Sequence, residues 1–163
     1  MSTPQDSAYE RAIAHALRFL SSRPRSEQEV RRRLQRTYEA STVASVIERL
    51  RDLELLDDAA FARAWSRSRA DHRPRSAAMI RRELQAKGVE RDVAAASVES
   101  LDDRESAYRA GLRWLPSMGS ADYDTFRRRM WGRLHRRGFA QALIRETVAR
   151  LWEERGGEGE RRP

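Results

Sequence analysis

Arg23-Pro24-Arg25-Ser26 and, fifty residues later, Arg73-Pro74-Arg75-Ser76 decide how this chain is read. The match runs on without a gap through Val30/Ile80, Arg31/Arg81, Arg32/Arg82, Leu34/Leu84 and Gln35/Gln85. A fainter third copy keeps the register, with Met130 standing for Ile80 and Leu134 for Leu84. Lys87-Gly88-Val89 is echoed by Arg137-Gly138-Phe139. Past that turn, Val43, Ile47 and Leu50 correspond to Ala94, Val98 and Leu101, and then to Ile144, Val148 and Leu151; the first copy needs a one-residue gap and lacks the glycine. A period of about fifty residues marks a supersecondary unit that buries its apolar face against its neighbours.

Each copy reads as three short helices. In the last helix of every copy apolar residues recur at i, i+4 and i+7, the helical period rather than the strand period. Ser26 precedes Glu29 by three residues, a capping box, and Pro24 marks the break before it. Ser7 and Glu10 offer another for the opening helix. Asp57-Asp58 and Asp102-Asp103 stand where the first helices of copies two and three begin, and carboxylates suit that end. Gly88 and Gly138 fit the left-handed residue that closes a helix. The expectation is an all-α fold: a tandem repeat of three three-helix units, 7–56, 57–101 and 102–153, stacked into an elongated, curved array. Residues 1–6 and 154–163, poor in apolar content, are expected to be disordered. The expected core comprises Val30, Leu34, Phe61, Trp65, Ile80, Leu84, Val98, Leu101, Met130, Leu134, Val148 and Leu151.

Composition narrows the function. The chain has 163 residues, of which 39% are hydrophobic and 36% charged, so the core is thin and the surface highly charged. Its 33 basic and 25 acidic residues give net +8, and Lys87 is the single lysine. With no cysteine, disulfides, thiolate zinc sites and cysteine nucleophiles are excluded. No apolar run reaches the ~18 residues of a membrane span and no signal peptide is visible, so a cytoplasmic protein away from membranes is expected. His15, His72 and His135 lack metal-ligand spacing, no phosphate-binding glycine loop precedes a helix, and the paired acids are better read as caps than as general acid and base. No metal, cofactor or catalytic residue is expected, and the chain is not read as an enzyme.

The arginines carry more. Arg31-Arg32-Arg33, Arg81-Arg82 and Arg127-Arg128-Arg129 fall on corresponding helices beside the apolar stripe, repeating one basic face three times. Such a face draws phosphates or an acidic protein groove; the plain alternative is a solvated surface. Tyr9, Phe61, Trp65, Tyr108, Trp131, Phe139 and Trp152, at helical spacing, are read as core before base-stacking platforms.

Two stretches give the sequence a family likeness. Leu53-Glu54-Leu55-Leu56-Asp57-Asp58-Ala59-Ala60-Phe61-Ala62 and Ile80-Arg81-Arg82-Glu83-Leu84-Gln85-Ala86-Lys87-Gly88-Val89 are similar to the "L…LDD..FA" and "I..EL..KG" stretches of the bacterial RecX family. Ser26 to Leu34 and Arg133-Leu134 to Gly138-Phe139 support the match, which covers about residues 8–152; the missing glycine after Arg36 and the Pro116–Ser120 connection depart from it. The resemblance implies a regulator that lodges in the groove of the RecA–DNA filament and mostly inhibits ATPase, filament growth, strand exchange and co-protease activity. It carries no catalytic residue over. The contact candidates are Arg31, Arg32, Arg81, Arg82, Lys87, Arg127, Arg128, Arg129, Arg136 and Arg137. The expected partners are the RecA nucleoprotein filament and single- or double-stranded DNA, bound without sequence preference and sensitively to salt, by a monomer. The competing reading is a helical module that binds nucleic acid directly.

Overall fold

The structure, a computed structural model, describes residues 4–159. Among them the regular structure is helical: α1 (Pro4–Ser21), α2 (Glu27–Leu34), α3 (Ala40–Asp52), α4 (Asp58–His72), α5 (Ala77–Ala86), α6 (Arg91–Ala96), α7 (Asp103–Leu112), a 3₁₀ turn (Leu115–Met118), α8 (Tyr123–His135) and α9 (Gln141–Gly159). Pro4–Asp6 belong to α1, and α9 runs on through Glu154 to Gly159, so these residues are helical where disorder was expected. A proline in the first turn costs no hydrogen bond, and each terminal helix extends from a buried stripe. The rest of both predicted disordered ends lies outside the described residues.

The packing gathers the chain into two compact units, with boundaries inside α4 and α5. Unit 1 holds the chain through Trp65 together with Glu83–Ser97; unit 2 holds Ser66–Arg82 and the chain from Val98 onward. The core of unit 1 is built by Ala12 and Ala16 of α1, Val30 and Leu34 of α2, and Val43, Val46, Ile47 and Leu50 of α3, with Leu56 below. The small residues of α1 let α2 and α3 approach it closely, and the i, i+4 pairs face inward. Phe61, Ala62, Leu84, Val89 and Ala94 of the same unit are also buried. Unit 2 repeats the pattern with Ala107 and Ala110 of α7, Phe126, Met130 and Leu134 of α8, and Ile144, Val148 and Leu151 of α9. Its Ile80 and Val98 are buried too, whereas two expected core residues, Leu101 of unit 2 and Trp65 of unit 1, are half-buried. Leu101 falls in the connection before α7, and Trp65 keeps one face for a cation.

The turns explain where the copies differ. After α5 and α8, Val89 and Phe139 donate back to the carbonyls of Leu84 and Leu134, and the intervening Gly88 and Gly138 have φ +83° and +84°. The first copy reaches α3 one residue sooner, Leu34 to Val43 against Leu84 to Ala94. There the N–H groups of Thr37 and Tyr38 both reach Leu34 O at 3.0 Å. No left-handed residue is needed, so no glycine is present. The left-handed position instead falls after α3, where Glu54 has φ +55° and Leu55 donates to Leu50 O at 2.9 Å.

Candidate functional site

Ser26 and Ser76 are buried, and each opens a helix against the turn one copy further on. In unit 1, Ser26 Oγ accepts from Glu29 N at 3.2 Å while Glu29 Oε2 accepts from Ser26 N at 3.0 Å, the expected capping box. The Ser26 hydroxyl also donates to Lys87 O at 2.5 Å. In unit 2, position 29 is replaced by Met79, so no carboxylate returns to the cap. Ser76 Oγ still accepts from Met79 N at 3.1 Å, and the freed Ser76 N–H itself donates to Arg137 O at 3.0 Å. Gly88 and Gly138 permit the approach. A Cβ at Gly138 would stand 2.7 Å from Ser76 Oγ and 2.9 Å from Met79 Cβ, and one at Gly88 would overlap the Gln28 side chain.

The paired aspartates divide the work. Asp57 and Asp102 cap their own helices: Asp57 Oδ1 accepts from Ala60 N at 2.8 Å, and Asp102 Oδ1 from Arg104 N at 2.8 Å. The second aspartate of each pair reaches back to the middle helix of the preceding copy. Asp58 Oδ1 accepts from Glu27 N at 2.9 Å, and Asp103 Oδ1 from Ala77 N at 2.7 Å. Read as caps of the helices they begin, Asp58 and Asp103 prove to join successive copies.

Around Ser26 the cations are answered by carboxylates. Glu29 lies 2.8 Å from Arg23 and 3.5 Å from Lys87, and Glu27 takes a forked pair of bonds from Arg51 at 2.7 and 2.8 Å and one from Arg31 at 3.0 Å. Burial pushes both glutamates up, but the bonds from Arg51 and Arg31 on Glu27, and from Arg23 and the Ser26 N–H on Glu29, outweigh it and hold both below the ordinary value. Lys87 also sits 4.4 Å over the Trp65 ring, whose Nε1 donates to Glu83 at 2.9 Å.

These placements sort the sequence candidates. Arg32, Arg81, Arg82, Arg128, Arg129 and Arg136 are exposed and form no ion pair among the described residues. Arg127 is exposed too, 3.6 Å from Asp124, and with Arg128 and Trp131 lines an open cavity of about 580 Å³ on α8. Arg31 and Lys87, at 29% and 21% side-chain exposure, are held by Glu27 and Glu29, so these two contact candidates are already paired within their own unit. Arg137 is half-buried and donates to Pro74 O at 3.1 Å. Arg73, Arg75 and Arg113, absent from the sequence candidates, lie close enough to Arg137 to act on its charge; the doubled Arg-Pro-Arg motif signalled the first two, and no motif signalled Arg113. No helix among the described residues is long and apolar enough to cross a membrane.

Comparison with known proteins agrees with this construction. Residues 12–50 match the model of the first three-helix domain of RecX, and residues 57–97 that of the second. The chain is 35% identical over 147 residues to the regulatory protein RecX of Prosthecochloris aestuarii, covering 90% of this chain and 97% of the relative. It is 37% identical over 162 residues to that of Mycobacterium avium, covering 94% and 92%. The crystal structure of RecX from Lactobacillus salivarius shares the fold, with a TM-score of 0.74 at 19% identity over 89% of this chain and 97% of that one. On its sequence relatives, its domain matches and its helical repeat, the chain belongs to the RecX family of regulatory proteins.

Proposed function

We propose that this chain restrains RecA by binding the RecA–DNA filament in its groove, slowing ATP hydrolysis and filament growth and, through them, strand exchange and co-protease activity. Family membership supports the reading. The observation that carries it is the set of exposed arginines on α5 and α8: Arg81, Arg82, Arg128 and Arg129 form no ion pair among the described residues and are available to an acidic partner surface. The residues act by binding rather than by bond chemistry. Arginine suits this role because its planar fork pairs with carboxylates and phosphates alike.

The test adds the protein to RecA on single-stranded DNA and follows ATP turnover and filament length. The parent protein slows both. Arg81→Glu with Arg82→Glu, at exposed positions, leaves the melting temperature nearly unchanged and abolishes the restraint, while Glu153→Lys retains it. Undiminished restraint by the double variant would overturn the assignment of this face.

A further inference from the structure

At the close of α1 the helical period sets His15, Arg18, Phe19 and Ser22 on one side. With Arg33 of α2 they line an open cavity of about 310 Å³ inside unit 1, which shares no residue with the arginines of α5 and α8. Arg18, Arg33 and the neighbouring Arg25 form no ion pair among the described residues. Arg25 lies 4.0 Å over the Phe19 ring and donates to Ser22 Oγ at 3.0 Å. The Arg33 Nε–H donates to His15 Nε2 at 3.2 Å, so that nitrogen accepts and the imidazole is neutral. Burial, then the charges of Arg33 and Arg18, lower the affinity of His15 for a proton. The Tyr38 ring stands edge-on to the imidazole at 6.0 Å. Among the described residues no carboxylate offsets the arginines here: Glu27 of α2 is taken by Arg51 and Arg31, and Glu48 of α3 acts on Arg51.

We propose that this cavity binds a compact doubly charged oxyanion, a phosphate dianion either free or as a phosphomonoester. Arg18 and Arg33 offer planar forks of N–H donors with no carboxylate to release first. His15 becomes a third donor once it takes a proton from solvent at Nε2, the atom that accepts from Arg33 in the free chain. A bound dianion favours that step, because its charge offsets the two guanidinium charges that keep the ring neutral. Anion binding and protonation of His15 therefore strengthen each other by the same factor. The end of α1 carries partial negative charge, which opposes an anion. Ser21 and Ser22 cover two of its carbonyls, donating to Arg18 O at 2.8 Å and Phe19 O at 3.2 Å. A phosphodiester fits less well, since it brings one charge and two free oxygens where a monoester brings two charges and three. This goes beyond the RecA reading and needs no RecA.

The experiment follows the imidazole NMR resonances of the full chain alone, from about pH 5 to about pH 8, in sodium chloride and in sodium sulfate of equal ionic strength. Sulfate is the probe because it stays a dianion across that range. The His15 titration midpoint lies below the ordinary 6.5 in chloride and rises in sulfate; His72 and His135, outside the cavity, report the general salt effect. Read at the Ser22 amide near pH 6, Arg33→Gln weakens sulfate binding about tenfold. Arg32→Gln, exposed and off the cavity, changes it by less than about twofold. Inorganic phosphate and adenosine monophosphate are further arms at about pH 7.5, where the dianion predominates. Whichever binds more tightly tells the free anion from the phosphomonoester. Thymidylyl-thymidine, whose one phosphate is a diester, binds about fivefold more weakly or worse than the tighter of the two. The proposal is overturned if sulfate moves His15 no more than chloride does, if Arg33→Gln costs no more than Arg32→Gln, or if the diester binds as tightly as the dianions. RecA is absent and the α5 and α8 arginines are untouched throughout, so failure here leaves their reading standing.

Discussion

The two serine-capped junctions are the same piece of architecture solved with different chemistry. At Ser26 a capping-box glutamate takes the cap N–H, and the serine hydroxyl bonds the Lys87 carbonyl; at Ser76 a methionine stands in the glutamate's place, and the cap N–H bonds the Arg137 carbonyl directly. Both arrangements leave the buried donor satisfied, which is what burial demands. They differ in charge. Glu27 and Glu29 pair with Arg31, Arg51, Arg23 and Lys87 in unit 1, whereas unit 2 carries Ala77 and Met79 at those positions. The docking of turn on helix cap needs only a donor and a glycine, so the flanking side chains are free to differ between the two units.

The largest test asks whether the cores are as alike as the junctions are different. Leu34 and Leu134 are both fully buried at the same position of the repeat. Each Leu→Ala change should cost about 2–5 kcal/mol in denaturant unfolding. A cost near zero at either position would break the equivalence of the two cores.

A smaller effect isolates the charge difference. Glu29→Met gives unit 1 the residue that unit 2 carries; it removes the Ser26 N–H acceptor and both cation partners and should cost about 1–2 kcal/mol at neutral pH. The cost depends on pH in a defined direction. Glu27 and Glu29 are held below their ordinary value of 4.5 in the folded chain, so the stability they supply is complete above about pH 4.5 and is lost as pH falls through their folded values. Asp58, raised chiefly by burial, works in the opposite sense. Melting curves of parent and Glu29→Met should therefore be separated at pH 7 and converge once pH falls below the depressed folded value of Glu29. A separation that persists undiminished there would show that packing of the glutamate stem, rather than its charge, distinguishes the junctions.

The smallest effect concerns the left-handed residues. Gly88 and Gly138 accept positive φ without strain, whereas Glu54 at φ +55° does not. Glu54→Gly should stabilise by at most about 1 kcal/mol, because relief of strain is partly offset by the freer unfolded chain. A destabilised variant would mean that the Glu54 side chain contributes more than its backbone costs.

Local chemistry made much of this legible. Helix period, the Ser26 capping box, the glycine turns and the Val30/Leu34, Ile80/Leu84 and Met130/Leu134 stripe depend on neighbours within one turn of helix, so the amino-acid sequence by itself determined an all-α repeat and most of its core. Tertiary structure decided what lies between copies. Asp58 and Asp103 look like caps of their own helices until the fold brings Glu27 N and Ala77 N within reach, 31 and 26 residues away in the chain. Lys87 looks like a solvent-facing cation until Glu29, 58 residues distant, and the Trp65 ring close on it. The charge around Arg137 likewise comes from Arg69 of α4, Arg73 and Arg75 of the loop before α5, and Arg113 just past the end of α7, segments that no spacing rule connects. A side chain's helix position fixes the direction in which it leaves the backbone, but the partner it meets is set by packing, and for long, charged side chains the partner decides whether they stabilise the fold or face outward to bind.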